Sequence, residues 1–256
     1  TIQIGSAGAN QIWNFSALQA HDSDTTQMID PAGTPFASLH TTANICINDE
    51  GEYSYMHKDV TGVNMVGLDA LAVFFPLIPL PLTYGLNSSQ GPILLMDSIT
   101  VNPGYPNSYA AGITNGLAQT LDSISVKMKK TVKFNVDAYG DVTIPMGTFA
   151  SLRMKRTEID ETTYMAYCTD TVLNQNSGWY SVPQAILPSG TDSIVAYEWW
   201  SNDTAAKFAL VNVYLDLSGN PADEVTFLLP TPIPAAVSDV LNLNFKVYPV
   251  PATYNL

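Results

Sequence analysis

Charge is what this sequence has least of. Only 13% of its 256 residues are Asp, Glu, Lys or Arg, against about 25% in ordinary soluble domains, so hydroxyl and amide side chains supply most of the polarity. Basic residues are scarcer still. Ten Lys and Arg face 23 acids, a net charge of −13, which repels a phosphate backbone and excludes nucleic acid as an expected partner. Histidine is confined to His21, His40 and His57, without a His-Glu-x-x-His pair or clustered Cys ligands, so no metal and no cofactor is expected. A nucleophile elbow and a Walker loop are both missing, and Gly5-Ser6-Ala7-Gly8 lacks the strand, helix and Lys context of a phosphate cradle; it reads as a turn. The most apolar run, Leu68 to Leu86, is interrupted by Pro76, Pro79 and Pro81. Those prolines break a membrane helix, so no spanning segment is expected and the run reads as buried or interface-forming extended chain.

The chain opens without Met, a charged n-region or an apolar h-region, and the expectation is that Thr1 follows removal of a signal peptide or an artificial boundary. Cys46 and Cys168 are the only cysteines. Two readings stand side by side: a single disulfide, which in the chain-entropy account stabilises by up to about 4 to 5 kcal/mol for so long a loop, or two buried free thiols.

What is present in quantity is short alternation punctuated by Gly, Pro, Asn and Asp, without long helical periodicity. This predicts an all-β chain with little helix. Strands are expected at Ser123–Asn135, Asp141–Ile144, Ser151–Thr157, Ile194–Trp200, Ala209–Leu215 and Val225–Leu229, with turns at Tyr139-Gly140-Asp141 and Ser218-Gly219-Asn220-Pro221. A short helix is expected within Gly112–Leu121. Length allows two β-sandwich domains of jelly-roll or Ig-like type, over 1–130 and 131–240, followed by a linker and tail at 241–256.

Carboxylates are the remaining route to catalysis, because a glycosidase needs only two facing acids. Glu198, beside Trp199 and Trp200, is the best single candidate for a sugar site, since an aromatic floor holds a sugar and raises a carboxyl pKa. Against it, neighbouring strand residues point to opposite faces, so one Trp fills the core. No catalytic residue is assigned. Asp22 with Asp24, and Asp216 near Asp223, lack the EF-hand register and read as solvated turn acids.

Lys246-Val247-Tyr248-Pro249-Val250-Pro251-Ala252-Thr253 resembles the start of the C-terminal type A sorting domain of proteins that Bacteroidota export through the type IX secretion system. Val250 stands where that family usually has Asn, and the further strands of the domain do not follow. The other reading is a Pro-containing tail left after the last domain. A wider resemblance to secreted proteins of that group rests on Gly8-Ala9-Asn10-Gln11-Ile12-Trp13-Asn14-Phe15-Ser16, Pro81-Leu82-Thr83-Tyr84-Gly85 and the segment Val136 to Phe149. It continues in Leu152-Arg153-Met154-Lys155 and the Trp199-Trp200 pair. The resemblance implies export and no particular reaction. Read physically, Gly140 and Gly147 suit tight turns at strand ends and Pro145 an edge position.

Asp followed by Ser or Thr and then an apolar residue or Thr occurs six times, where residue frequencies predict roughly one or two. The pattern resembles the O-glycan acceptor motif of exported Bacteroidota proteins, which would make Thr25, Ser98, Ser123, Thr171, Ser193 and Thr204 the acceptors. An Asp that ends a turn before a strand explains the same triplets. Together these features lead to the expectation of a secreted, cell-surface structural or adhesive protein, self-associating by strand addition through its termini into a filament or surface layer. The alternatives are a carbohydrate-binding module or a glycoside hydrolase acting on extracellular polysaccharide. In material from the native host, an intact mass above that of the bare polypeptide is the expected result; a mass equal to it contradicts glycosylation.

Overall fold

The computed structural model describes residues 2–23, 25–216 and 218–229, with the backbone alone at 222–224. The tail from Asn244 onward lies outside the described residues. The chain is nearly all strand: β1 (Gly8–Asn14), β2 (Gln27–Ile29), β3 (Ile45–Asp49), β4 (Glu52–Lys58), β5 (Gly62–Leu68), β6 (Leu71–Pro79), β7 (Asn87–Val101), β8 (Thr120–Ile144), β9 (Gly147–Thr169), β10 (Gly178–Ser181), β11 (Gly190–Trp200), β12 (Val211–Leu215) and β13 (Pro221–Phe227). Among the described residues one α-helix, α1 (Ser108–Thr114), interrupts them. The all-β expectation is met.

The chain forms two compact units, and neither is a continuous stretch. The first takes residues up to Ser89, Val132–Thr157 and the described residues from Ile194; the second takes Gln90–Thr131 and Glu158–Ser193. A boundary at residue 130 falls inside β8, a single strand of 25 residues. The strands are therefore not dealt out to two consecutive sandwiches. Strands β8 and β9 supply residues to both units.

In the first unit, β2 to β6 make an antiparallel meander. Its tightest turn, Glu50-Gly51, joins Asp49 to Glu52 with φ of 50° and 101°, the left-handed pair that matches strand twist in a two-residue hairpin. Ile45, Met56, Val63, Met65 and Val73 form the meander's core. The second sheet of this unit runs β1-β8-β9-β11-β12-β13. Along β8, Val132, Phe134, Val136 and Ala138 are buried while Lys133 and Asn135 are exposed, the period-two alternation that the sequence displays. The turn expected at Tyr139-Gly140-Asp141 is instead the middle of β8. There β1 pairs in parallel, Gln11 opposite Gly140, and a Cβ on Gly140 would stand 1.9 Å from the Gln11 carbonyl oxygen. Glycine serves close backbone approach here and not a turn. Gly147, at φ 146°, does follow the two-residue turn Pro145-Met146 between β8 and β9.

The core of this sheet gathers Trp13, Phe15, Val142, Ile144, Trp199, Leu210 and Val213. Beside it sits Arg153, only 1% exposed. Its Nε and Nη2 donate to the two carboxylate oxygens of Asp137 at 2.8 and 3.0 Å. Its Nη1 donates to the carbonyls of Ile4 and Gly5, and the guanidinium lies 5.7 Å from the Trp13 ring centroid and 4.9 Å from that of Tyr197. Trp13 adds an indole hydrogen bond to the Ile4 carbonyl at 2.8 Å. Four of the five N–H donors of the buried cation are answered, two of them by a carboxylate, which is what makes burying it tolerable.

In the second unit, β7 pairs β8 and β10 pairs β9. Ala110, Ile113, Leu121, Ile124, Ala166, Cys168 and Val182 form its core. Helix α1 starts earlier than Gly112 and stops at Thr114, because Asn115 and Gly116 both adopt positive φ, 55° and 84°, and Gly116 donates back to the Ala111 carbonyl, a left-handed C-terminal stop. Cys46 and Cys168 are both free and fully buried. Burial raises both thiol pKa values, that of Cys168 further through the Asp122 charge, which leaves them poor nucleophiles. Arg153→Met should destabilise the protein by about 3 to 5 kcal/mol by stranding the Asp137 carboxylate, read as a lowered denaturation midpoint; a change under about 1 kcal/mol would contradict the role given to this residue.

Candidate functional site

The Glu198-Trp199-Trp200 segment lies at the end of β11, where alternation separates its members. Trp199 is fully buried and packs edge-on against Trp13 at 5.7 Å and Phe15 at 5.1 Å. Trp200, on the other face, is half-buried beside Phe134, Leu152 and Met154. Glu198 is 4% exposed, and its two oxygens accept from Arg156 Nε at 2.6 Å and from Trp200 Nε1 at 2.9 Å. The carboxylate therefore ties β9 to β11, and neither Trp ring presents an open platform for a sugar. The proposed sugar site is not assembled here.

Half-buried acids are committed in the same way. Asp137 holds Arg153, and Glu158 with Asp160 holds Lys130. Among the described residues no three His, Cys, Asp or Glu side chains gather as a metal cage. Asp216 caps its own turn by accepting from the Ser218 and Asn220 amides; Asp24 lies outside the described residues. His40 is buried against the Tyr55 ring at 4.5 Å and bonds the Asp69 carbonyl, and His57 bonds that of Thr42. A cleft lined by Val63, Ile78, Leu80, Trp200, Ser201, Ala206 and Lys207 has a volume of about 10 Å³, room for one water and not for a sugar ring.

The six Ser and Thr residues of the Asp-Ser/Thr triplets are placed differently. Thr25, Ser98, Thr171, Ser193 and Thr204 are exposed and Ser123 is half-buried. Their aspartates do local work: Asp97 pairs with Lys127 at 3.0 Å, Asp122 accepts from Thr169 Oγ1, and Asp203 accepts from the Ala205 amide at 2.8 Å. Asp170 does most, accepting from the Val172, Leu173 and Gln175 amides and the Asn176 side chain. These bonds, that from the Leu173 amide first, lower its pKa to about 2.

The surface that stands out is the outer edge of β7. This strand runs 15 residues, and among the described residues its only strand partner is β8. Its first part is blunted by Pro92, which has no amide to donate, and by Gly91 at φ 126°, which lets the chain pass close to Lys130 and Thr131. From Ile93 to Val101 nothing comparable intervenes. Leu94, Ile99 and Val101 are 53%, 59% and 67% exposed, and the one charge, Asp97, is already matched by Lys127. A long apolar edge with no strand partner on its outer side among the described residues is a template for another strand. Its signal in sequence is the apolar run Ile93-Leu94-Leu95-Met96 followed by the alternating Ser98-Ile99-Thr100-Val101, between Pro92 and Asn102, which the strand expectations passed over. The N-terminal segment, expected to be free for strand addition, is instead fastened within its own unit through the Ile4 and Gly5 carbonyls; Phe245–Tyr248 lies outside the described residues.

No protein family, curated protein or solved structure matches the chain.

The Asp170 loop carries an acid dependence whose sign is fixed. Its carboxyl titrates near 2 when folded and near 3.8 when unfolded, so its stabilising effect is complete above about pH 4 and disappears as pH falls toward 2. Asp170→Asn should flatten the stability profile between these values, measured by denaturation midpoints across pH; a profile as steep as the parent's would contradict the assignment.

Proposed function

We propose that this chain is an extracellular structural or adhesive protein of the cell surface, and that it pairs with further copies of itself along the β7 edge. The observation that carries the reading is the exposed run Ile93–Val101 on a strand with no described neighbour on its outer side. Main-chain pairing at an edge gives many hydrogen bonds without any active site. An antiparallel strand is complementary to its own copy, and Asp97, already paired with Lys127, adds little like-charge repulsion to such a contact. A self-paired edge closes a dimer, so growth into a filament or layer takes a second contact. The apolar corner where β5 turns into β6, with Leu68, Leu71 and Phe74 at 39%, 47% and 53% exposure, is the best surface for it.

The extracellular address is supported by the sorting-tail resemblance and by the six Asp-Ser/Thr triplets, whose Ser and Thr residues are exposed apart from half-buried Ser123. Low charge agrees with a protein whose surface meets other protein or glycan rather than water alone. Carbohydrate cleavage is the weaker reading, because its leading residue, Glu198, has both oxygens engaged inside the protein.

Sedimentation across a concentration series tests the assembly. The parent should form dimers or larger species, and the double variant Ile99→Lys with Val101→Lys should weaken association by about tenfold or more by placing ammonium groups on the open edge. A parent that stays monomeric throughout, or a variant that assembles equally well, would overturn the reading.

A further inference from the structure

The second unit carries an aromatic feature that its core does not use. In the β9–β10 ladder, Trp179 stands directly opposite Tyr167 and Ser181 opposite Met165. Their neighbours Tyr180, Ala166, Cys168 and Tyr164 face the core. Alternation therefore sends Trp179 and Tyr167 to the other face of the sheet. Trp179 is 43% exposed and Tyr167 half-buried, and their rings meet edge to face, with centroids 5.5 Å apart and planes 72° to one another. Neither belongs to a core cluster. The pair makes a right-angled corner, one ring serving as floor and the other as wall.

We infer that the corner formed by Trp179 and Tyr167 is a binding site for a neutral saccharide. An indole face is apolar and carries the negative side of the ring quadrupole, which complements the C–H face of a pyranose ring. The groups beside the rings suit sugar hydroxyls. Ser181 offers a hydroxyl now bonded only to the Met165 sulfur at 3.6 Å, and Asp122, which accepts from Thr169 one position further along β9 on the same face, offers a carboxylate acceptor. None of these groups is basic, and the chain carries −13 overall, so an acidic polysaccharide is disfavoured. The corner is open, on a sheet face and not in a cavity, which fits the side of a chain-like glycan better than an enclosed small molecule. It lies on β9 and β10, apart in sequence from the β7 edge, and the inference stands whether or not the protein assembles.

Calorimetric titration of the intact protein with neutral hexasaccharides of glucose, xylose and mannose, beside an oligogalacturonate, tests it. At least one neutral oligosaccharide should bind, Trp179→Ala should weaken that binding by about tenfold, and Trp179→Phe, which keeps a ring, should retain most of it. Tyr109→Ala, at an exposed aromatic elsewhere in the unit, should leave it unchanged. Absence of binding to all three neutral sugars, binding of the acidic one alone, or binding indifferent to Trp179→Ala would each overturn the inference. An Ile99→Lys, Val101→Lys protein that no longer assembles should still bind, which separates a failure here from a failure of the assembly reading.

Discussion

The buried guanidinium of Arg153 is the interaction on which the first unit depends. A full positive charge in the interior is tolerable only when it is paired and well hydrogen-bonded, and here four of its five donors meet a carboxylate from β8 and two carbonyls from the N-terminal segment, between two aromatic rings. The cation thereby joins parts of the chain nearly 150 residues apart. It also holds Ile4 and Gly5 where Trp13 bonds the same carbonyl, just ahead of the strand that runs parallel to β8. The Leu-Arg-x-Lys stretch that figures in the resemblance to secreted proteins thus has a physical content: its Arg is a buried tie, not a surface charge.

That tie changes where self-association is to be sought. Free termini able to donate a strand are the natural expectation for a sparsely charged, Pro-interrupted chain, yet the N-terminal segment is occupied internally. Among the edges open in the described residues, that of β7 lies in the middle of the sequence. Edges are commonly blunted by lysine, proline or a bulge; β7 has this protection at Gly91-Pro92 and lacks it from Ile93 to Val101. Low charge and an unguarded edge point the same way, toward contact with other chains.

Much of the architecture was legible because alternation is local. β11 and β12 and the turn after Asp216 all sit near their expected places, and the opposite facing of Trp199 and its two neighbours follows from strand geometry alone. Pairing between distant segments was not legible. Tyr139-Gly140-Asp141 has the composition of a turn, and only the arrival of Gln11 against Gly140 explains why it continues as strand. The discontinuous units escape a linear reading for the same reason, since β8 and β9 are too long to belong to one core. Glu198 looked available because its sequence neighbours are aromatic; the residue that engages it, Arg156, lies 42 positions away. Trp179, by contrast, had a visible signal in Gly178-Trp179-Tyr180-Ser181, an alternation that places one ring inward and one outward.

The central claim is that the outer side of β7 pairs with another copy of the chain. Amide hydrogen exchange measured at low and high protein concentration tests it most directly, because an edge strand has outward N–H groups that only a partner protects. The account predicts fast exchange at alternate amides from Ile93 to Val101 in dilute protein and strong protection of those amides in concentrated protein. Exchange in this segment that stays fast at every concentration would contradict it.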